Sequence, residues 1–444
     1  MPLRDHPAVQ RFHADAAQTP APTVPTLGAD ALRELCLQCG ADDAGFVEVG
    51  RPALDDQRAE LLRLYPFTES LVAIVGRIGR ESLRSPARSV ANVEHNHAHE
   101  ELEQAAHRIT GALERRGVRA VAPAVAFPME IEAWPRKMHV VSHKPVAVAA
   151  GLGTMGRHRS VIHPVFGSCV LLDTILIGAK VDRYDQPLDH DPCVGCRLCV
   201  AACPTGAIAP DGYFHPLSCM THTYRQMHFG FADWVEQIAD SRSARDYRSR
   251  VTLQETIAMW QGLTVGPCYR SFNCLAVCPA GDDALGPFLR DRKSYFAEVV
   301  KPLRDVEETV YVLPGSDAEA HARRHFPKKR VRRVSNGIRI PSIAAFLGSA
   351  PLAFQRNQSR GLSAVYHLTF TGDEELEATI EIRDGKISVR RGHEGEADLR
   401  IRTDSQAWLR VVRHESSALK EVLLGRIRVK GPMSLFKAFG KCFA

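Results

Sequence analysis

The run Cys193-x2-Cys196-x2-Cys199-x3-Cys203-Pro204 sets a thiol every three residues and one more just before a proline. Soft thiolates on so tight a loop suit the corners of an iron–sulfur cube. In two-cluster ferredoxins the cysteine before the proline ligates the other cluster. That arrangement requires a second cysteine set, and Cys219, Cys268, Cys274 and Cys278-Pro279 supply it. The spacing therefore predicts two [4Fe-4S] clusters, the first on Cys193, Cys196, Cys199 and Cys278, the second on Cys203, Cys219, Cys268 and Cys274. Structural zinc on paired Cys-x2-Cys units is the competing reading, but zinc sites lack interleaved Cys-Pro ends. Disulfides belong to oxidising compartments, and nothing marks the chain as secreted.

Two other groups of residues carry possible chemistry. His95 and His99 share a helix face at i, i+4 and can clasp a metal; with no third ligand nearby, a solvated or stacked pair is the plainer reading. Gly151, Gly153 and Gly156 spell G-x-G-x-x-G, with Asp173 downstream where a ribose contact would stand. The motif must open a helix, yet Pro164 follows Gly156 closely with Val161 and Ile162 between. A glycine loop approaching some other flat or phosphate-bearing ligand fits better. Glu130, Glu132, His139, His143 and Lys144 precede it, and His143 and Lys144 are the candidate proton donors by position.

The elements that position these residues follow from periodicity. Residues 29–40 and 92–116 read as amphipathic helices, 45–49 and 71–76 as strands, and 170–177 as a buried strand leading into the cysteine run. Cys36 and Cys39 fall inside the first helix, where core packing explains them. Residues 213–227 and 232–260 are helical insertions whose aromatics, Trp234 and Trp260 among them, are expected in the core or a substrate wall. Beyond residue 338 the pattern alternates: Tyr366, Leu368 and Phe370, then Leu376, Ala378, Ile380 and Ile382, with a hairpin signal at Asp384-Gly385 and apolar helices afterwards.

The chain has 444 residues, 45% hydrophobic and 24% charged, enough for two to four domains. No apolar run approaches a bilayer span, and Met1–Asp30 has neither an apolar signal core nor a twin arginine, so a cytoplasmic location is expected. Residues 323–333 hold seven positive charges and no acid against a net charge of +6, so the remainder is close to neutral. That run reads as a solvated linker, or as a docking surface for an acidic electron donor or an anionic membrane. No basic stripe interleaved with aromatics points to nucleic acid.

Ala150-Gly151-Leu152-Gly153-x-x-Gly156-Arg157, then Ile162-x-Pro164-x-Phe166-Gly167, then the two-cluster cysteine pattern, resembles the epoxyqueuosine reductase and reductive dehalogenase superfamily over residues 29–290. The resemblance implies a nitroreductase-like α/β domain of the cobalamin-binding type under a ferredoxin-like domain. It also implies a corrinoid lined by Gly151, Leu152, Gly153, Gly156, Arg157 and Gly167. The chain departs from it twice. Cys268-x5-Cys274 is wider than the usual two-residue gap, and neither the aspartate nor the tyrosine proton donor of that superfamily has a counterpart before the glycine loop.

Residues 336–444 are similar to the sterol carrier protein type 2 fold, which implies an apolar lipid tunnel between sheet and helices; a docking module with a filled core is the alternative. The expected organisation is a multidomain α+β protein: a disordered tail 1–28, a corrinoid-binding-like domain 29–185, a two-cluster domain 186–290, a basic connector 291–335 and the lipid-type domain 336–444. The expected function is an oxidoreductase taking electrons from a ferredoxin- or flavodoxin-like donor through two [4Fe-4S] clusters to cobalamin, and reducing a hydrophobic, halogenated or steroid-like small molecule. The rival is a corrinoid-free electron-transfer protein with a lipid-binding or docking module.

Overall fold

The computed structural model describes residues 2–16, 24–133, 138–193 and 195–443. Its first unit is a four-stranded antiparallel sheet in the order Asp43–Glu48, Ser70–Arg77, Val170–Ile177, Ala120–Val121. The apolar run at its centre is buried on both faces because both are covered. Val72 and Ile74 meet the helices Ala29–Gln38 and Arg88–Glu114, while Leu71, Ala73 and Val75 meet the helix His143–Ala149 and Leu54 and Leu61. Full burial of such side chains stabilises by roughly 1.5–3 kcal/mol each.

The tail differs from expectation. Pro7–Ala16 is helical, with proline in the first turn where its missing N–H costs nothing. Thr26–Leu27 pairs in parallel with Lys180–Val181, which gives an otherwise unpaired segment its backbone partners. The rest of the disorder expectation, over residues 17–23, lies outside the described residues.

The cysteine-bearing segments do not form a separate globule. Leu198, Ala202, Phe272, Ala276, Val277 and Phe288 share one apolar core with Ile78, Leu83, Ala91 and Ala98 of the first unit. The insertions fold into the helices Pro216–Thr223, His228–Ala239, Ala244–Arg250 and Leu253–Thr264. Trp234 is tied down, its Nε1 donating to Tyr247 Oη at 2.8 Å. Trp260 is not a core residue: it is 62% exposed, on the same helix as the exposed Leu253, Ile257 and Leu263.

The basic connector is a folded βαβ unit. Thr309–Val312 pairs in parallel with Arg330–Arg333, and the helix Asp317–His325 crosses between them. Among the described residues five of the seven cations at 323–333 have ion-pair partners within the chain, and the segment is a folded unit where a solvated linker was one expectation. Arg323 and Arg333 bind Glu319, Arg332 binds Glu255 and Lys328 binds Asp305. Lys329 is fully buried, 2.7 Å from Glu308, which also pairs with Arg88 of the long helix. Burial would raise the Glu308 pKa, but Arg88 and Lys329 hold it down at about 2.

The C-terminal unit is a five-stranded mixed sheet in the order Lys386–Arg391, Leu376–Arg383, Ala364–Thr371, Leu399–Asp404, Ile427–Lys430. Asp384 and Gly385 both take positive φ, 51° and 67°, the pair of left-handed residues a two-residue hairpin turn requires. Phe346, Phe370 and Trp408 pack edge-on to one another, and Phe439 packs at a tilt on Tyr366 and Trp408.

Lys329→Met removes one partner of a buried pair and the donor to the Leu303 and Val306 carbonyls. It is expected to cost about 3 kcal/mol in urea unfolding at pH 7. A cost below about 1 kcal/mol, the range of an exposed pair, would contradict this role.

Candidate iron–sulfur and redox site

Cys193, Cys196, Cys199 and Cys278 line one small cavity of about 20 Å³ together with Arg157, His158 and Ile162. The loop is bent by left-handed residues at Gly195 and Arg197, with φ of 68° and 54°. The Arg157 N–H donates to Cys193 Sγ at 3.3 Å. Burial, then the thiols of Cys278, Cys196 and Cys193, push the Cys199 pKa up to about 12. Four thiols around one cavity are the donor set a cluster's iron would hold as thiolates.

Two residues hold Cys278 against this loop. Arg80, 6% exposed, donates to the carbonyls of Cys278 at 3.0 Å and Ala280 at 2.9 Å and pairs with Asp283 at 2.9 Å. Gly167 has φ 64°, and a Cβ there would stand 1.9 Å from the Ala280 oxygen. Only glycine allows that approach.

Cys203, Cys219 and Cys274 gather in a second patch with Cys199, Ala207 and Ile208. Burial, then Cys219, Cys203 and Cys199, raise the Cys274 pKa well above the ordinary thiol value, and burial with Cys203 takes Cys219 to about 11. Cys199 borders both sets, so the two sites adjoin. Cys268, also expected in the second set, is absent from this apolar patch; its thiol donates to the Gly266 carbonyl at 3.5 Å, and burial raises its pKa while Gln261 opposes the rise. Among the described residues no three His, Cys, Asp or Glu side chains are arranged to hold a metal ion. The thiols are therefore within electrostatic reach of one another without the closeness a single ion demands.

The glycine loop terminates a helix. Gly151 follows the end of His143–Ala149 with φ 72°; its N–H bonds the Val148 carbonyl, and the Leu152 N–H bonds the Ala147 carbonyl. This is the Schellman closure, which favours glycine. A Cβ on Gly151 would meet the Gln186 oxygen at 2.6 Å, and one on Gly153 the Ile162 oxygen at 2.4 Å. Leu152 is buried in the core beneath the sheet. Of the six residues the resemblance assigns to a corrinoid, Gly151, Leu152, Gly153 and Gly167 are thus engaged by the chain itself. Gly156 and Arg157 border an open cleft of about 310 Å³ with Met155, Arg159, Asp191, Cys193, Asp211 and Gly212.

The two candidate proton donors diverge. His143 turns to the sheet, with Nδ1 3.0 Å from Thr174 Oγ1 and 3.8 Å from Asp173, and Nε2 3.3 Å from the Ala124 carbonyl. Lys144 turns the other way: Nζ donates to the Arg159 carbonyl at 2.8 Å, and burial lowers its pKa although Cys274 and Cys219 oppose the shift. His95 and His99 stack at 6.3 Å and 16°.

Sequence reasoning missed two features. Asp173 is a buried acid, its pKa pushed up to about 8 by burial against the Thr174 N–H bond, with Glu103 adding to the rise. Beside Cys219 and Cys274, Tyr224 packs 5.7 Å from both Tyr269 and His228, and His95 packs 4.7 Å from Tyr269. The aromatic density of residues 213–272 was the available signal, but it did not say which rings would converge.

Comparison with known proteins agrees with this division. Residues 187–209 match the 4Fe-4S binding domain and residues 352–444 the SCP-2 sterol transfer family. The chain is a multidomain α+β protein that joins an iron–sulfur domain to a sterol-transfer-type domain. The epoxyqueuosine reductase of Staphylococcus aureus is 35% identical over 82 residues, 18% of this chain and 21% of that protein. That of Listeria monocytogenes is 34% identical over 82 residues, with the same shares. The chain thus matches about a fifth of the length of these curated relatives. Among solved structures, a catabolic reductive dehalogenase superposes with a TM-score of 0.38 at 16% identity, covering 62% of this chain and 34% of its own. Epoxyqueuosine reductase from Streptococcus thermophilus gives 0.31 at 15%, covering 61% and 74%. Sterol carrier protein 2 from Yarrowia lipolytica gives 0.21 at 11%, covering 24% and 94%. Among the described residues no helix is long and apolar enough to cross a membrane.

Gly167→Ala is expected to displace the Cys278 turn and lower the iron bound per chain by about half after anaerobic reconstitution, since one of two expected clusters would lose a ligand. Gly348→Ala, where a Cβ meets nothing within 4 Å, is the control expected to leave iron unchanged. The Asp173 carboxyl, neutral in the fold up to about pH 8, stabilises fully below its ordinary value of 3.8, and that contribution fades as pH rises through 8. Asp173→Asn is expected to flatten the fall in melting temperature between pH 5 and pH 8; an unchanged slope would contradict the assignment.

Proposed function

We propose that this chain is an iron–sulfur oxidoreductase of the epoxyqueuosine reductase-like kind, carrying electrons through two adjoining [4Fe-4S] clusters. The observation that carries this reading is the exchange of end cysteines: Cys278 sits with Cys193, Cys196 and Cys199, while Cys203 sits with Cys219 and Cys274. Cubane potentials reach low enough for demanding reductions, and two neighbouring clusters form a short path between an external donor and a reducible group. A ferredoxin- or flavodoxin-like protein is the donor class that matches one-electron chemistry at such clusters. Tyr224, Tyr269, His95 and His228 form a packed aromatic layer beside the second set. The sterol-transfer-type domain supports a hydrophobic substrate.

Cobalamin dependence, which the resemblance implies, finds weaker support. When bound, a corrinoid would supply a strongly reducing cobalt centre. Four of its six expected contacts are engaged by the chain itself, and the 310 Å³ cleft at Gly156 and Arg157 lies at the small end of pockets for drug-sized ligands. These residues do not fit a corrinoid, and this favours the corrinoid-free reading, in which the clusters serve a substrate or partner directly.

Anaerobic reconstitution of the full chain with iron, sulfide and cobalamin tests both points. Iron and sulfide sufficient for two cubes are expected, with cobalamin lost on desalting. Retention of one corrinoid per chain would restore the cobalamin reading; iron for a single cube, or zinc in its place, would overturn the two-cluster reading.

A further inference from the structure

The two cysteine segments repeat each other more closely than their cysteine counts reveal. Cys193-x2-Cys196-x2-Cys199-x3-Cys203-Pro204 has the same spacing as Cys268-x2-Ser271-x2-Cys274-x3-Cys278-Pro279. The repeat is structural as well. Cys199 and Cys274 are each the second residue of a short helix, Leu198–Ala202 and Asn273–Ala276. The N–H of Cys203 bonds the carbonyl of Val200, and that of Cys278 bonds Leu275, each three residues back. Ser271 therefore occupies in the second segment the place that Cys196 holds in the first. Its hydroxyl oxygen, on a half-buried residue, accepts a long bond, 3.4 Å, from the Asn273 N–H.

The second patch contains three thiols, Cys203, Cys219 and Cys274, and Cys268 is not one of them. We propose that the second cluster is held by these three thiolates and by the oxygen of Ser271, and that Cys268 is not a ligand. The inference rests on the two-cluster reading above and deepens it. Serine is a hard oxygen donor that must lose its proton to bind, whereas the other corners are soft thiolates. The iron at Ser271 is then the labile one. Oxidation of the [4Fe-4S]2+ state by ferricyanide takes one electron and releases that iron as Fe2+, leaving a [3Fe-4S]+ cluster.

Iron analysis and electron paramagnetic resonance of the anaerobically reconstituted full chain test this without any activity assay. Ferricyanide-treated wild type is expected to show the three-iron signal. Ser271→Cys is expected to abolish it, Ser271→Ala to give it at a smaller amount of ferricyanide than wild type needs, and Cys268→Ala to leave both the iron content and the signal of wild type. Cys274→Ala should remove the second cluster while the first cluster's signal remains, which controls for folding. Loss of second-cluster iron in Cys268→Ala overturns the proposal, and so does a Ser271→Cys or Ser271→Ala protein that behaves as wild type. If wild type itself binds iron for one cube only, the two-cluster reading fails as well, an outcome distinct from these.

Discussion

The end of each cysteine segment sits in the other's site. Cys278 belongs spatially to the loop that begins at Cys193, and Cys203 to the patch around Cys274. This exchange forces two segments some seventy residues apart in sequence to close against each other, and the supporting residues follow from it. Asn273 donates across the junction to the Ala202 carbonyl, Arg80 gathers the carbonyls beyond Cys278, and Gly167 leaves room for the turn that follows. Because Arg80 and Gly167 lie in the sheet-bearing unit, that unit and the cysteine segments share one core.

The remaining parts attach to this junction by polar contacts. His222, on the helix after the first cysteine segment, stacks on Tyr311 of the connector, and burial drives its pKa down to about 3. The sterol-transfer-type unit docks through His215 Nε2, 3.0 Å from the Phe354 carbonyl. Arg356 pairs with Asp211 at 2.6 Å and lies over the Tyr213 ring at 4.9 Å. Asp211 also borders the open cleft beside Cys193. The C-terminal unit is thus anchored at the rim of the cleft that Cys193 and Asp211 line.

What was legible in the sequence was local. Fixed spacing made Cys193, Cys196 and Cys199 readable as a unit, and strict alternation made Tyr366 to Ile382 readable as paired strands. What was not legible depended on partners far along the chain. The glycine loop looked like a ligand cradle, whereas the Schellman closure and the Gln186 and Ile162 carbonyls account for Gly151 and Gly153. The partners of the basic run, Glu255, Glu308 and Glu319, could not be assigned to it from sequence, nor could the burial of Lys329. The contact of the Cys268 thiol with the Gly266 carbonyl is likewise something spacing does not show.

The central claim is that two cubes adjoin across the exchanged cysteines. Electron paramagnetic resonance of the fully reduced protein tests it most directly, since neighbouring paramagnetic clusters broaden and split each other's signals. The account predicts a spin-coupled spectrum that simplifies when only one cluster is reduced. A single sharp signal, unchanged from partial to full reduction, would contradict it.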